Sequence, residues 1–125
     1  MITITLPLPH KHLSPNARVH WGQLAEAKKR ARRDAKYEAI AEMSHMQLSA
    51  PKLKTARVEY RFYFKTRHSH DADNAIASMK ASLDGLTDAG LWTDDSVVTL
   101  LPPVLAVDRV RPRVEVVVKI GRAHV

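Results

Sequence analysis

The 125-residue chain has no cysteine, which excludes disulfides, thiolate metal sites and thiol nucleophiles while leaving oxygen-ligand metal chemistry open. Acidic residues are also in short supply, with 13 Asp and Glu against 20 Lys and Arg and a formal net charge of +7. A surplus of that size on so short a chain suggests a polyanionic partner, nucleic acid first. Long apolar runs are missing too. Met1 to Leu6 is a short alternating stretch rather than a charged segment followed by a hydrophobic one, so no signal peptide, membrane span or membrane partner is expected, and the expected location is cytoplasmic. Without internal repeats, and with 45% apolar residues, residues 1–120 are expected to form one domain around one core.

The scarce acids are not evenly spread. From Asp71 to Asp95 there are six of them (Asp71, Asp73, Asp84, Asp88, Asp94, Asp95) and one basic residue, Lys80. An acidic island in a basic protein suits phosphodiester chemistry, in which basic surface holds the backbone and carboxylates hold a cation. A solvated acidic loop would give the same pattern.

Ile2, Ile4 and Leu6 alternate with threonines and read as a strand ended by Pro7 and Pro9. His10 to Trp21 reads as an ordered loop. From Gln23 to about Met46 the period turns helical, with Leu24, Ala27, Ala31, Ala35, Ala39, Met43 and Met46 on one face. Lys29, Arg30, Arg33 and Lys36 fall opposite, as a stripe for phosphates or for water. Ser49-Ala50-Pro51 breaks the helix, and Val58, Tyr60, Phe62 and Phe64 alternate with polar residues as a second strand. A second helix is expected from Asp73 or Asn74 to about Gly90, with Ile76, Met79, Leu83 and Leu86 inward and Gly85 weakening it. Val97 to Leu101 and Val114 to Ile120 read as third and fourth strands, limited by Pro102, Pro103 and Pro112. The expected fold is α+β, in the order β-α-β-α-β-β, with two helices on one face of a small four-stranded mixed or antiparallel sheet. Residues 121–125 show no period and, with Ile120, resemble the translation of a sequencing adapter. They are expected to be a non-native or disordered tail.

Asp71 and Asp73 are one residue apart just beyond a strand, so persisting extended geometry would point both carboxylates to one side. Such a pair suits Mg²⁺, which takes one or two carboxylates with water and substrate phosphate. The alternative is a plain helix N-cap at Asp73. Lys80, seven residues on, would project from the same side of the expected helix and could neutralise a phosphate oxygen, or could simply pair with Asp84 at i+4. Asp94 and Asp95 stand at the mouth of the third strand, where adjacent side chains splay apart and one of the two is expected to reach a metal. A polar turn is the alternative there.

The run Asp71-Ala72-Asp73-Asn74, then Lys80, Leu83-Asp84-Gly85-Leu86 and Ala89-Gly90-Leu91-Trp92-Thr93-Asp94-Asp95-Ser96 resembles the signature of the RusA Holliday-junction resolvases, many of them carried by phages and prophages. Leu6-Pro7-Leu8-Pro9, Leu13 to Arg18 and His20-Trp21 are similar to the start of the phage-borne branch. The resemblance implies a homodimeric endonuclease dependent on Mg²⁺, with Mn²⁺ as a substitute, whose substrate is a four-way DNA junction and not a small molecule. By position it makes Asp71, Asp73 and Asp95 the metal carboxylates, Asp94 a weaker candidate, and Lys80 the catalytic lysine. Five residues separate Asn74 from Lys80 where the best-studied form has two. Three extra residues turn a helix by about 300°, returning Lys80 near the same face one turn further on.

Arg18, His20, Lys29, Arg30 and Arg33 are candidates for backbone contacts. His68 and His70 alternate beside Asp71 but match no established zinc spacing. Trp21 and Trp92 are expected in the core, with stacking on junction bases as the alternative. Two other functions fit the same residues: a Mg²⁺ nuclease for flaps or nicked duplex, and a DNA-binding protein whose acidic island is structural.

Overall fold

In the computed structural model of the protein, residues 1–46, 53–67 and 70–120 are described, with the backbone alone at Ile120. The helix break at Ser49 to Pro51, His68 and the 121–125 tail lie outside the described residues. Strand alternation builds the sheet. Strand β1 (Ile2–Leu6) pairs antiparallel with β5 (Arg113–Ile120), which pairs antiparallel with β2 (Ala56–Phe64). The free side of β2 carries β3 (Val98–Leu100) along its first residues and β4 (Val104–Val107) along its last, both parallel. Strands β3 and β4 thus form one edge interrupted at Pro102-Pro103, and Leu101 N–H still donates to the Val58 carbonyl at 2.9 Å. Proline has no N–H for a ladder and is tolerated on such an edge.

Among the described residues the sheet is mixed and has five strands rather than four. Strand β4 escapes the sequence because Val104-Leu105-Ala106-Val107 is uniformly apolar and only four residues long, without an alternating signal. Elsewhere the alternation reads truly. Ile2, Ile4, Leu6, Val58, Tyr60, Phe62, Val114, Val116 and Val118 are buried on one face, and the helices pack on that layer through Ala35, Ala39, Met43, Met79, Leu83 and Leu86. Among the described residues no helix is long and apolar enough to cross a membrane.

Helix α1 (Trp21–His45) starts earlier than expected because His20 caps it, its Nδ1 accepting the Gly22 N–H at 3.1 Å. Of the expected apolar face, Ala35, Ala39 and Met43 are buried and Leu24, Ala27 and Ala31 only half-buried. Met46 closes the helix as its exposed C-cap instead of joining the core.

The second expected helix is two helices, α2 (Ala72–Ala77) and α3 (Lys80–Asp88). At the joint, Met79 N–H donates to the Ile76 carbonyl at 3.0 Å, three residues back, and Ser78 Oγ donates to the Asn74 carbonyl at 2.8 Å. A tightened turn with a serine bonded back to its own helix bends the chain. Lys80 therefore starts a second helix and is not carried round one continuous helix from Asn74. Helix α3 ends as its glycine suggested: Gly90 sits at φ +92, its N–H donates to the Thr87 carbonyl at 3.0 Å, and Leu91 N–H donates to the Leu86 carbonyl at 3.4 Å. That pair of bonds is the Schellman arrangement, which wants glycine at the left-handed position.

Gly85 has a purpose the sequence reading missed. A Cβ there would collide with the Arg32 carbonyl oxygen and stand 3.0 Å from the Ala35 Cβ, so the glycine sets how closely α3 crosses α1.

Candidate functional site

The acidic island is spread over three local structures. Asp71 is the N-cap of α2, its Oδ1 accepting the N–H groups of Asp73 at 2.8 Å and Asn74 at 3.2 Å. The extended geometry expected through Asp73 gives way one residue earlier, because the helix opens at Ala72. The capping residue is Asp71, not Asp73. Asp73 lies exposed in the first helical turn, where a carboxylate is favoured by the helix dipole. Strand alternation therefore does not place the two carboxylates side by side. The bond between the two residues runs from the Asp73 backbone N–H to the Asp71 carboxylate and leaves the Asp73 carboxylate out.

Asp94 and Asp95 divide their tasks. Asp94 caps a short 3-10 helix, Asp95–Val97, through Oδ1 and the Ser96 N–H at 2.7 Å, and hydrogen bonds from Ser96 hold its carboxyl below the usual range. Asp95 faces away from that cap. Its Oδ2 accepts from Lys80 Nζ at 2.8 Å, and the same ammonium reaches Asp84 Oδ1 at 3.2 Å. The hydrogen bonds from Lys80 to Asp95 and Asp84 raise its pKa, so it is an ammonium ion at neutral pH and not a base. The Asp84 contact is the i+4 pairing expected as the plain alternative, and the Asp95 contact was not foreseen in the sequence. Asp84 also helps to keep the buried Tyr60 hydroxyl protonated, after burial itself.

Among the described residues no three His, Asp or Glu side chains stand close enough to hold one metal ion. Asp71, Asp73 and Asp95 are not gathered as a trio in this arrangement. Their hard oxygens suit Mg²⁺, which needs only one or two protein carboxylates when water and phosphate complete its shell. Asp71 Oδ2 accepts no hydrogen bond among the described residues, whereas Asp95 is committed to Lys80.

Lys80 and Asp84 line a groove of about 580 Å³ between α1 and the α2–α3 joint, together with Ser78, Lys28, Lys29 and Arg32. The groove joins the acidic island to the basic face of α1. Of the five residues proposed for backbone contact, Lys29 lines it. Arg18 and His20 are exposed, though His20 is spent on the α1 cap. Arg30 pairs with Glu26 at 3.7 Å and Arg33 with Asp34 at 3.4 Å, and such exposed pairs exchange easily for phosphates. Sequence reasoning missed Lys28 and Arg32. Arg32 makes a two-pronged contact with Asp88, Nη2 donating to Oδ1 at 2.9 Å and Nε to Oδ2, and is accordingly a brace between helices. The spacing of Lys28 four residues ahead of Arg32 was a signal available in the sequence.

A larger concavity of about 670 Å³ lies on the other side of the Pro7 to Leu13 loop, lined mainly by apolar side chains with His10, His12 and His20 at its rim. It contains neither Lys80 nor a carboxylate of the island, so we assign the candidate chemistry to the smaller groove. Burial, then the neighbouring His10 and Lys11, lowers the pKa of His12.

His70 stacks on Phe64 with ring centroids 3.6 Å apart, and its buried Nε2 has no hydrogen-bond partner among the described residues. The two tryptophans part company. Trp92 is fully buried, its Nε1 donating to Thr87 Oγ1 at 2.7 Å, but Trp21 is 77% exposed, against the expectation of core packing. As the first residue of α1, it projects before the helix reaches the sheet.

No family model matches the chain. A protein of Xylella fastidiosa (strain Temecula1 / ATCC 700964) bearing the description "Uncharacterized protein" is 40% identical over 121 residues, which span 96% of this chain and 76% of that protein. Identity at that level over nearly the whole chain shows common descent, and the chain belongs to the same protein family as this Xylella protein.

Proposed function

We propose that the protein is a metal-dependent endonuclease that resolves four-way DNA junctions, acting as a homodimer in recombination and repair. The observation that carries the reading is Lys80 Nζ at 2.8 Å from Asp95 Oδ2, at the wall of an exposed groove that also presents Lys28 and Lys29. In that groove a DNA strand meets lysines that neutralise its phosphates. Lys80 is then placed to stabilise charge that builds on the scissile phosphate, exchanging a carboxylate oxygen for a phosphate oxygen. Mg²⁺ needs only one or two protein carboxylates, and if held by Asp71 or Asp73 with water and substrate phosphate completing its shell it would supply Lewis-acid polarisation and an acidified water; Asp95, paired with Lys80, is not gathered with them. A two-fold dimer would present one such groove to each of two equivalent strands.

A second reading, a DNA-binding protein that does not cut, is favoured by the capping task of Asp71 and by the lack of a three-residue metal cluster among the described residues. One assay separates the two. Wild type and Asp73→Asn are incubated with Mg²⁺ and a synthetic four-way junction, a flap, a nicked duplex and plain duplex. The resolvase reading expects symmetric, Mg²⁺-dependent cuts in the junction, lost in Asp73→Asn while binding persists. Binding of the junction with no cleavage in Mg²⁺ or Mn²⁺ leaves the second reading standing, and preferential cutting of the flap redirects the first.

A further inference from the structure

Trp21, Leu24 and Lys28 recur at the spacing that keeps side chains on one side of a helix, and Leu24 and Lys28 both line the groove that holds Lys80. Trp21 and Lys28 stand seven positions apart, close to two full turns and about 10 Å along the axis. Trp21 therefore stands one turn beyond the last groove residue of α1, with most of its indole in solvent. His20, fixed by its bond to Gly22, lies beside it with ring centroids 5.4 Å apart. Neither Lys28 nor Lys29 pairs with an acidic side chain among the described residues.

A single exposed apolar side chain needs no explanation by itself. This one differs in its surroundings: it extends a line of unpaired lysine and candidate catalytic lysine on a protein of net charge +7. A cationic track ending in an exposed aromatic ring is how proteins hold single-stranded nucleic acid, with phosphates on the charges and a base on the ring. The 10 Å from Lys28 to Trp21 covers about three nucleotides at the roughly 3.4 Å stacked spacing.

We propose that Lys28 and Trp21 continue the Lys80 groove as a strand-binding track, Lys28 holding a backbone phosphate and Trp21 stacking on an unpaired base. The preferred DNA would then expose unpaired bases a few nucleotides from the phosphate at Lys80. This rests on the reading that the groove binds DNA, but not on cleavage.

The two tryptophans make the test direct, because Trp92 is buried and Trp21 is not. Wild-type protein is titrated at low salt with a single-stranded oligothymidine and with a duplex of equal length, followed by tryptophan fluorescence and by anisotropy of labelled DNA. The single strand is expected to quench the solvent-exposed emission, and Trp21→Ala to weaken single-strand binding about ten-fold or more with little change for duplex. Lys28→Ala is expected to weaken both and to reduce the log–log salt slope by about one. Both positions are on the surface, so the retained Trp92 emission reports intact folding in each variant. Equal single-strand affinity in Trp21→Ala and wild type overturns the track, as does equal quenching by duplex. A Trp21→Ala change confined to the sedimentation of the protein overturns it in favour of a contact between copies. If wild type cuts junctions and Trp21→Ala binds unchanged, only the track falls; if wild type binds no DNA at all, the functional reading falls with it.

Discussion

Lys80, which lines the groove beside α1, meets Asp95, fifteen positions on in sequence, at 2.8 Å. Both side chains are largely open to water, 63% and 47% exposed, and a pair so exposed contributes little to folding. If the protein cleaves junctions as proposed, Lys80→Ala is expected to slow that cleavage by about 10²–10³-fold while shifting unfolding stability by no more than about 0.5 kcal/mol. Single-turnover cleavage beside urea denaturation checks this. A large stability loss with unchanged cleavage would reassign Lys80 as a brace.

Gly85 gives the opposite profile. Its missing Cβ lets the Arg32 carbonyl of α1 lie against α3, and the next nearest atom is Ala35 Cβ at 3.0 Å. The obstacle is backbone, not a side chain that can swing aside. Gly85→Ala would gain helix propensity of about 1 kcal/mol, yet overpacking of this kind costs about 1–3 kcal/mol, and the helix crossing must widen as well. Net destabilisation is the expected result, read as a lower urea midpoint. A stabilised Gly85→Ala would mean that the crossing is slack.

Much of this was legible in the sequence, and the rest was hidden for definite reasons. Strands β1 and β2 announced themselves because one face is buried and period two holds, and β5 did so although Val117, between Val116 and Val118, is apolar and buried as well. Gly90 marked the end of α3 because only a left-handed residue closes that turn. The α2–α3 joint was invisible: Ile76, Met79, Leu83 and Leu86 keep helical spacing through it, and the bend arises from the Ser78 hydroxyl bonding back to Asn74. Gly85 looked like a propensity defect because its neighbour Arg32 is 53 residues away. For the site, the residue types were readable, but the choice of Asp95 over Asp94 as the partner of Lys80 came from the cap that Asp94 makes with Ser96.

Asp88 links helix α3 to α1 through Arg32, and the guanidinium hydrogen bonds hold its carboxyl below the ordinary range. A carboxylate with a depressed folded pKa contributes stability that is present above its unfolded value of about 3.9. That contribution is lost as pH falls through the lower folded value. Urea midpoints measured from about pH 6 down to about pH 2.5 should therefore drop for wild type in the acid range, and the drop should be shallower in Asp88→Asn. The effect is expected to be modest, because the two side chains are 32% and 53% exposed. Identical acid profiles for the two proteins would remove this brace from the account.

Trp92 is the largest fully buried side chain of the core, and its indole N–H has one partner, Thr87 Oγ1 at 2.7 Å. Thr87 also donates from the same hydroxyl to the Leu83 carbonyl at 3.3 Å, so it joins the last turn of α3 to the segment leading to Asp94 and Asp95. Thr87→Val keeps the shape and leaves the indole donor unsatisfied in an apolar surrounding, a loss of about 1–3 kcal/mol. The urea midpoint should fall and the Trp92 emission should shift as the indole loses its partner. Trp92→Phe removes donor and demand together, so the double variant Thr87→Val with Trp92→Phe should show a coupling of about 1 kcal/mol or more relative to the singles. Strictly additive singles would mean that the hydrogen bond contributes nothing, and that packing alone holds the acidic turn beneath Lys80.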